Sequence, residues 1–107
     1  MKANEFVKKF GWLRAKQILK YSDDSHRYFI ADGISTTYSK YGDGFYSLAD
    51  LKRLVESHEL IRKDFESVEM AEYEYTVSAS YNESYWVRVK QAIADVESCM
   101  EVSNEFN

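Results

Sequence analysis

No proline and only four glycines interrupt the 107 residues of this chain, so its element boundaries must be carried by side-chain pattern. Proline and glycine are the strongest local breakers of helices and strands. Where they are scarce, apolar periodicity decides. Steps of three and four residues place apolar side chains on one helical face, and steps of two place them on one face of a strand.

The first apolar series is Phe6, Val7, Phe10, Leu13, Ala15 and Ile18, at near-helical spacing from about Asn4 to Lys20. Gly11 falls inside it, and two short helices meeting in a tight turn there is the favoured reading. Ser22-Asp23-Asp24-Ser25 is a polar breaker. Beyond it, Arg27 to Ala31 and Ile34 to Tyr38 are aromatic and β-branched runs around Asp32-Gly33, the pattern of a β-hairpin whose glycine accepts a positive φ. Tyr41-Gly42-Asp43-Gly44 marks a second turn, after which Phe45 and Tyr46 either begin a short strand or lead into a helix.

Ser47 has the chemistry of an N-cap, with Asp50 three residues on. Leu51, Leu54, His58, Ile61, Phe65 and Val68 then step by three and four, which predicts one helix from Leu48 to near Ala71 unless it breaks near His58-Glu59. Tyr73, Tyr75, Val77, Ala79 and Tyr81 alternate with Glu74, Thr76, Ser78, Ser80 and Asn82, which predicts a half-buried strand. Asn82 or Ser84 is placed to cap a last helix carrying Trp86, Val89, Ile93, Val96 and Met100. The expected fold is a single α+β domain over residues 1–107. It has a small antiparallel sheet of about three strands, the tyrosine strand beside the hairpin, and three or four helices packed on it.

Charge is unevenly placed. Residues 1–53 hold 10 Lys/Arg and 6 Asp/Glu, whereas residues 54–107 hold 4 and 12, so a net +4 is followed by a net −8. Either the two halves neutralise each other or they mark two contact surfaces. Cys99 is the only cysteine, so no intrachain disulfide forms. With no apolar leader core and no apolar run near the roughly 20 residues of a bilayer span, a cytoplasmic protein is expected, with no membrane partner.

Patterns that carry chemistry are missing. His26 and His58 sit in no metal-ligand spacing, and Cys99 lies between Glu97 and Glu101, which suppress a thiolate. No nucleophile elbow occurs, and the aspartate in Gly42-Asp43-Gly44 opposes phosphate. No enzyme activity, cofactor or metal is expected. What remains is surface. Glu66, Glu69 and Glu72, spaced by three, line one side of the predicted helix and its C-terminal end, as a solvated face or as a docking face for a basic partner. Aromatic residues make up 16% of the chain, more than a domain this small readily buries. Tyr38, Tyr41 and Tyr81 lie at turns and caps where a tyrosine suits a protein interface. Alternatively, Lys8, Lys9, Arg14 and Lys16 around the Gly11 turn supply the ingredients of a nucleic-acid-binding helix-turn-helix, against the acidity of the whole chain. The two narrow apolar seams leave a homodimer open.

Two segments carry a resemblance. Asn4-Glu5-Phe6-Val7-Lys8-Lys9-Phe10-Gly11, followed by Ala15-Lys16 and Ile18-Leu19, and the stretch from Leu48 to Ile61 resemble small early-region accessory proteins of lambdoid bacteriophages. They cover about a quarter of the chain. The resemblance brings no catalytic residues. It implies stoichiometric binding to a host protein or complex in the host cytoplasm, among replication, recombination, transcription or defence machinery.

Overall fold

The computed structural model describes residues 2–78 and 83–100, and its first helix, α1 (Ala3–Tyr21), is interrupted at Gly11. There the backbone has φ 87° and ψ 169°, a region open essentially to glycine alone, so two short helical segments meet as expected. The chain continues through β1 (Tyr28–Ala31), β2 (Thr36–Ser39), β3 (Tyr46–Ser47), α2 (Leu48–Asp64), α3 (Val68–Ser78) and α4 (Ser84–Ser98). Among the described residues this is an α+β arrangement of four helices and a three-stranded antiparallel sheet in the order β2-β1-β3. No helix of the described residues is long and apolar enough to cross a membrane. The chain divides into two compact units, residues 1–55 and 56–107, with the boundary inside α2.

In the first unit the expected hairpin forms, with Phe29 opposite Tyr38 and Ala31 opposite Thr36. Its turn differs from expectation. Gly33 does not take a positive φ; Gly11 and Gly44 are the described glycines that do. Instead the Asp32 carboxylate accepts the N–H groups of Ile34 and Ser35, both at 2.7 Å, doing by side chain what a glycine twist would have done by backbone. Those donors, Ser35 first, hold the Asp32 carboxyl below the usual carboxylate range. Arg14 secures the same turn from α1. Its Nε donates to Asp32 O at 3.0 Å, and its Nη2 donates to Ser35 O at 3.2 Å and Thr36 Oγ1 at 2.7 Å.

The second turn places Gly44 at φ 75°, closed by Phe45 N–H donating to Gly42 O at 3.0 Å. Positive φ at the third position is the requirement of a type II turn. It returns the chain so that Tyr46 pairs with Phe29. The third strand is therefore β3, and residues 73–78 of the tyrosine-rich segment are outside the sheet.

Because opposed residues share a face, Tyr38, Phe29 and Tyr46 form one row across the sheet. Fully buried Phe6 of α1 meets that row, 5.2 Å edge-on from Phe29 and 5.4 Å from Tyr46, with Phe10 4.8 Å away. Tyr38 finishes the contact by donating its hydroxyl to Ile18 O at 2.6 Å. Ala15 and Ile18 are buried with it, so the helix after Gly11 lies on the sheet through one apolar face.

In the second unit the expected continuous helix to Ala71 is broken. Ser47 caps α2 as anticipated, accepting Asp50 N–H at 3.2 Å, but α2 ends at Asp64. Glu66 sits at φ 73°, and Ser67 starts α3 by accepting Met70 N–H at its hydroxyl, 3.2 Å. The break thus falls at residues 65–67 and not near His58-Glu59.

The expected strand is also corrected: Tyr73 to Ser78 are helical, and residues 79–82 lie outside the described set. On a helix, every-second-residue spacing sends Tyr75 to one side and Tyr73 and Val77 to the other. Tyr75 is half-buried, 6.2 Å edge-on to Trp86 of α4, while Val68 and Ala71 are buried in the packing of α3 on α4. On α4 the buried line is Val89, Ala92 and Val96, with Asp95 among them, and it continues to the C-cap Cys99. Relative to expectation the seam is rotated: Trp86 and Ile93 are half-buried and Met100 is exposed. Cys99 is buried. The N-cap of α4 is Glu83, without a side-chain cap bond.

Candidate protein-binding surface

Local chemistry sets the acidic surface of the second unit. Glu66 occupies the link before α3, and its positive φ turns the chain from one helix into the next. Glu69 lies in the first turn of α3, where the amide dipoles favour a carboxylate. Glu72 follows one turn later. All three are exposed, Glu66 in the link and Glu69 and Glu72 in the first half of α3, so the expected placement along one long helix and its C-terminal end is corrected. Glu66 shares a recess of about 500 Å³ with Asp64, Phe65, Met70 and Glu74. The acidic residues are thus gathered beside a thioether and an aromatic ring.

Tyr85 borders this surface. Its hydroxyl donates to Asp64 Oδ2 at 2.8 Å, and its ring stands edge-on to Trp86 at 5.1 Å. Burial first, then the hydrogen bond and charge of Asp64, push the Tyr85 phenol up to about 12. A phenol in the unfolded chain ionises near 10. The stabilising effect of the raised value is therefore complete below about pH 10 and is lost as pH rises towards 12. Phenolate absorbance near 295 nm should show one tyrosine ionising last, in a step missing from Tyr85→Phe. An unchanged titration curve in that variant removes the Tyr85–Asp64 bond from the account.

Tyr41 is 80% exposed in the first unit. Tyr38 is committed to Ile18 O and stacks on His26, 4.7 Å between ring centroids, so it holds the sheet rather than offering a free tip. Tyr81 lies outside the described residues. Of the basic group, Arg14 spends its guanidinium on the hairpin turn, and Lys9 places its ammonium over Phe10, 5.4 Å from the ring centroid. Lys8 and Lys16 are half-buried. Residue spacing did not single out Asp64, Met70 or Glu74 for this surface, and it set Tyr73 and Val77 on a strand. The cue for both was Ser67, an N-cap residue two positions before Glu69.

A second recess, of about 510 Å³, is lined in the first unit by Asp23, Asp24, His26, Arg27 and Lys52 among others. Asp23 and His26 are engaged locally. Ser25 donates its N–H and hydroxyl to Asp23 Oδ1, at 2.8 and 2.6 Å, and His26 Nδ1 accepts Asp23 N–H at 3.1 Å. Among the described residues, no three His, Cys, Asp or Glu side chains gather in a way that could hold a metal ion.

In comparisons with known proteins, no family model, curated protein or solved structure matches this chain. Fold and surface together define an α+β chain whose most developed feature is an acidic, aromatic face.

Proposed function

We propose that this chain is a phage-type accessory protein that binds a host protein or protein complex and modulates or inhibits it. The targets in view are defence and nucleic-acid-processing machinery, in the host cytoplasm. The observation that carries this reading is the exposure of Glu66, Glu69 and Glu72, in the link and first half of α3, with exposed Tyr73 on the same helix and Tyr85 bound to Asp64 before that link. Carboxylates steer a basic partner, and tyrosine rings supply contact area at low entropic cost. The resemblance of residues 4–19 and 48–61 to early-region phage proteins supports the same reading. Binding to nucleic acid through Lys8, Lys9, Arg14 and Lys16 has less support, because Arg14 is engaged within the fold.

The test is affinity capture from host extract with the wild-type chain and with Glu66→Lys/Glu69→Lys/Glu72→Lys. The triple variant reverses three exposed charges without touching a buried side chain. It should keep the helical circular-dichroism spectrum and lose the captured partner. Retention of that partner at wild-type yield sinks the acidic-face reading.

A further inference from the structure

We infer that the outward face of α3 is a docking site for a basic amphipathic helix, seated on Met70, Tyr73 and Val77 between flanking carboxylates. The inference rests on the protein-binding reading and gives it a site and a partner chemistry.

The alternating run from Tyr73 to Ser78 is helical. At 3.6 residues per turn, Val68, Ala71 and Tyr75 fall on one side of α3, and Met70, Tyr73 and Val77 fall on the opposite side within an arc of about 60°. The first set is buried or half-buried where α3 packs on α4. The second is 47%, 61% and 59% exposed. A helix packed on one side ordinarily turns charge to water on the other. Here three large apolar side chains at positions i, i+3 and i+7 occupy the wet side. That is the spacing by which a helix presents an apolar face to a partner. Isolated exposed apolar residues need no explanation, but an aligned stripe does.

Charge selects the occupant. Glu69 flanks the stripe on one side and Glu74 on the other, and Glu66 precedes it. Residues 54–107 as a whole carry 12 Asp/Glu against 4 Lys/Arg. A second copy docked through the same face would set Glu69 and Glu74 against their own counterparts, a like-charge contact that costs stability. An anionic membrane surface is repelled for the same reason. A helix with leucine-type residues on one side and lysine or arginine along its borders satisfies both the stripe and the carboxylates. Since the backbone donors and acceptors of a helix interior are used within it, recognition there goes through side chains, as in ridge-and-groove packing.

The experiment uses the full chain and a labelled helical peptide with leucines at i, i+3, i+4 and i+7 and lysines elsewhere. Fluorescence anisotropy reads affinity, and amide chemical shifts locate the site. The peptide should bind, shifting amides of residues 69–77. Tyr73→Ser/Val77→Ser and Glu69→Lys/Glu74→Lys should each weaken it by about tenfold or more with helicity kept. A peptide with glutamate in place of lysine, or alanine in place of leucine, should not bind.

No binding, equal binding of the glutamate peptide, or indifference to both double variants overturns the inference. So does self-association of the chain that Tyr73→Ser/Val77→Ser abolishes, since the occupant is then a second copy. If the peptide fails while host-extract capture remains sensitive to the Glu66/Glu69/Glu72 reversal, this inference falls and the protein-binding reading stands. If both fail, both fall.

Discussion

Phe29→Ala should destabilise the first unit by about 3–5 kcal/mol, the usual cost of removing a fully buried phenylalanine. Phe29 is inaccessible to solvent and forms the middle of the row joining all three strands. Its ring stacks on Tyr46 at 5.2 Å and meets Phe6 edge-on at the same distance. Truncation leaves a cavity under α1 and removes the cross-strand contacts that hold two-residue β3 in place. The collapse available to such a site is limited, because Phe6 is held from α1 and Tyr38 is tied to Ile18 O. Urea unfolding followed by tyrosine fluorescence and by amide signals of residues 28–47 measures the effect. Phe29→Leu, which keeps most of the volume, should recover more than half of the loss. A loss below about 1 kcal/mol for the alanine variant shows that the aromatic row does not organise this sheet.

Asp95→Ala should have an effect of similar size in the second unit, about 3 kcal/mol or more, through polarity and not volume. Asp95 is 4% exposed and Ser57 is fully buried. The Ser57 hydroxyl donates to Asp95 Oδ2 at 2.6 Å, Gln91 Nε2 donates to Oδ1 at 2.8 Å, and Arg88 Nη1 donates to Ser57 Oγ at 3.1 Å. The hydroxyl thus relays the guanidinium to the carboxylate across the α2–α4 contact. Deleting the carboxylate takes the acceptor from buried Ser57 and from Gln91, and a buried group left unsatisfied costs far more than its bond contributed when made. Asp95→Asn keeps an acceptor oxygen and the shape, so it should cost roughly 1–2 kcal/mol. Ser57→Ala removes the relay from the other end, and its effect should not add to that of Asp95→Ala, because the two groups share one bond. Full additivity, or an alanine variant within about 0.5 kcal/mol of wild type, refutes the network as a stability element.

The contrast between the units shows which features were legible in the residues. Gly11, the Asp32 turn, the Gly42–Gly44 turn and the Ser47 cap are set by contacts within a few residues, and each is found at its anticipated place. The positive φ went to Gly44 and not Gly33 because the Asp32 carboxylate makes the first turn without it. The break at residues 65–67 carried a single mark, the N-cap residue Ser67, and no glycine. A positive φ ordinarily calls for glycine or asparagine, and here a glutamate takes it. The candidate surface was half legible: the carboxylates were read as a group, while Met70, Tyr73 and Val77 were hidden by the alternation that disguised their helix.

By itself the sequence determined the class of elements in residues 1–55, the cap of α2, and the split between a basic half and an acidic half. These follow from backbone preferences and charges that act locally. Tertiary structure alone decided that residues 73–78 are helical, that Glu66 takes a positive φ between two helices, and that Asp95 is buried. An alternating run is equally compatible with a one-faced strand and a two-faced helix. The choice falls to whichever lets Val68, Ala71 and Tyr75 leave water together, and α4 supplies that surface.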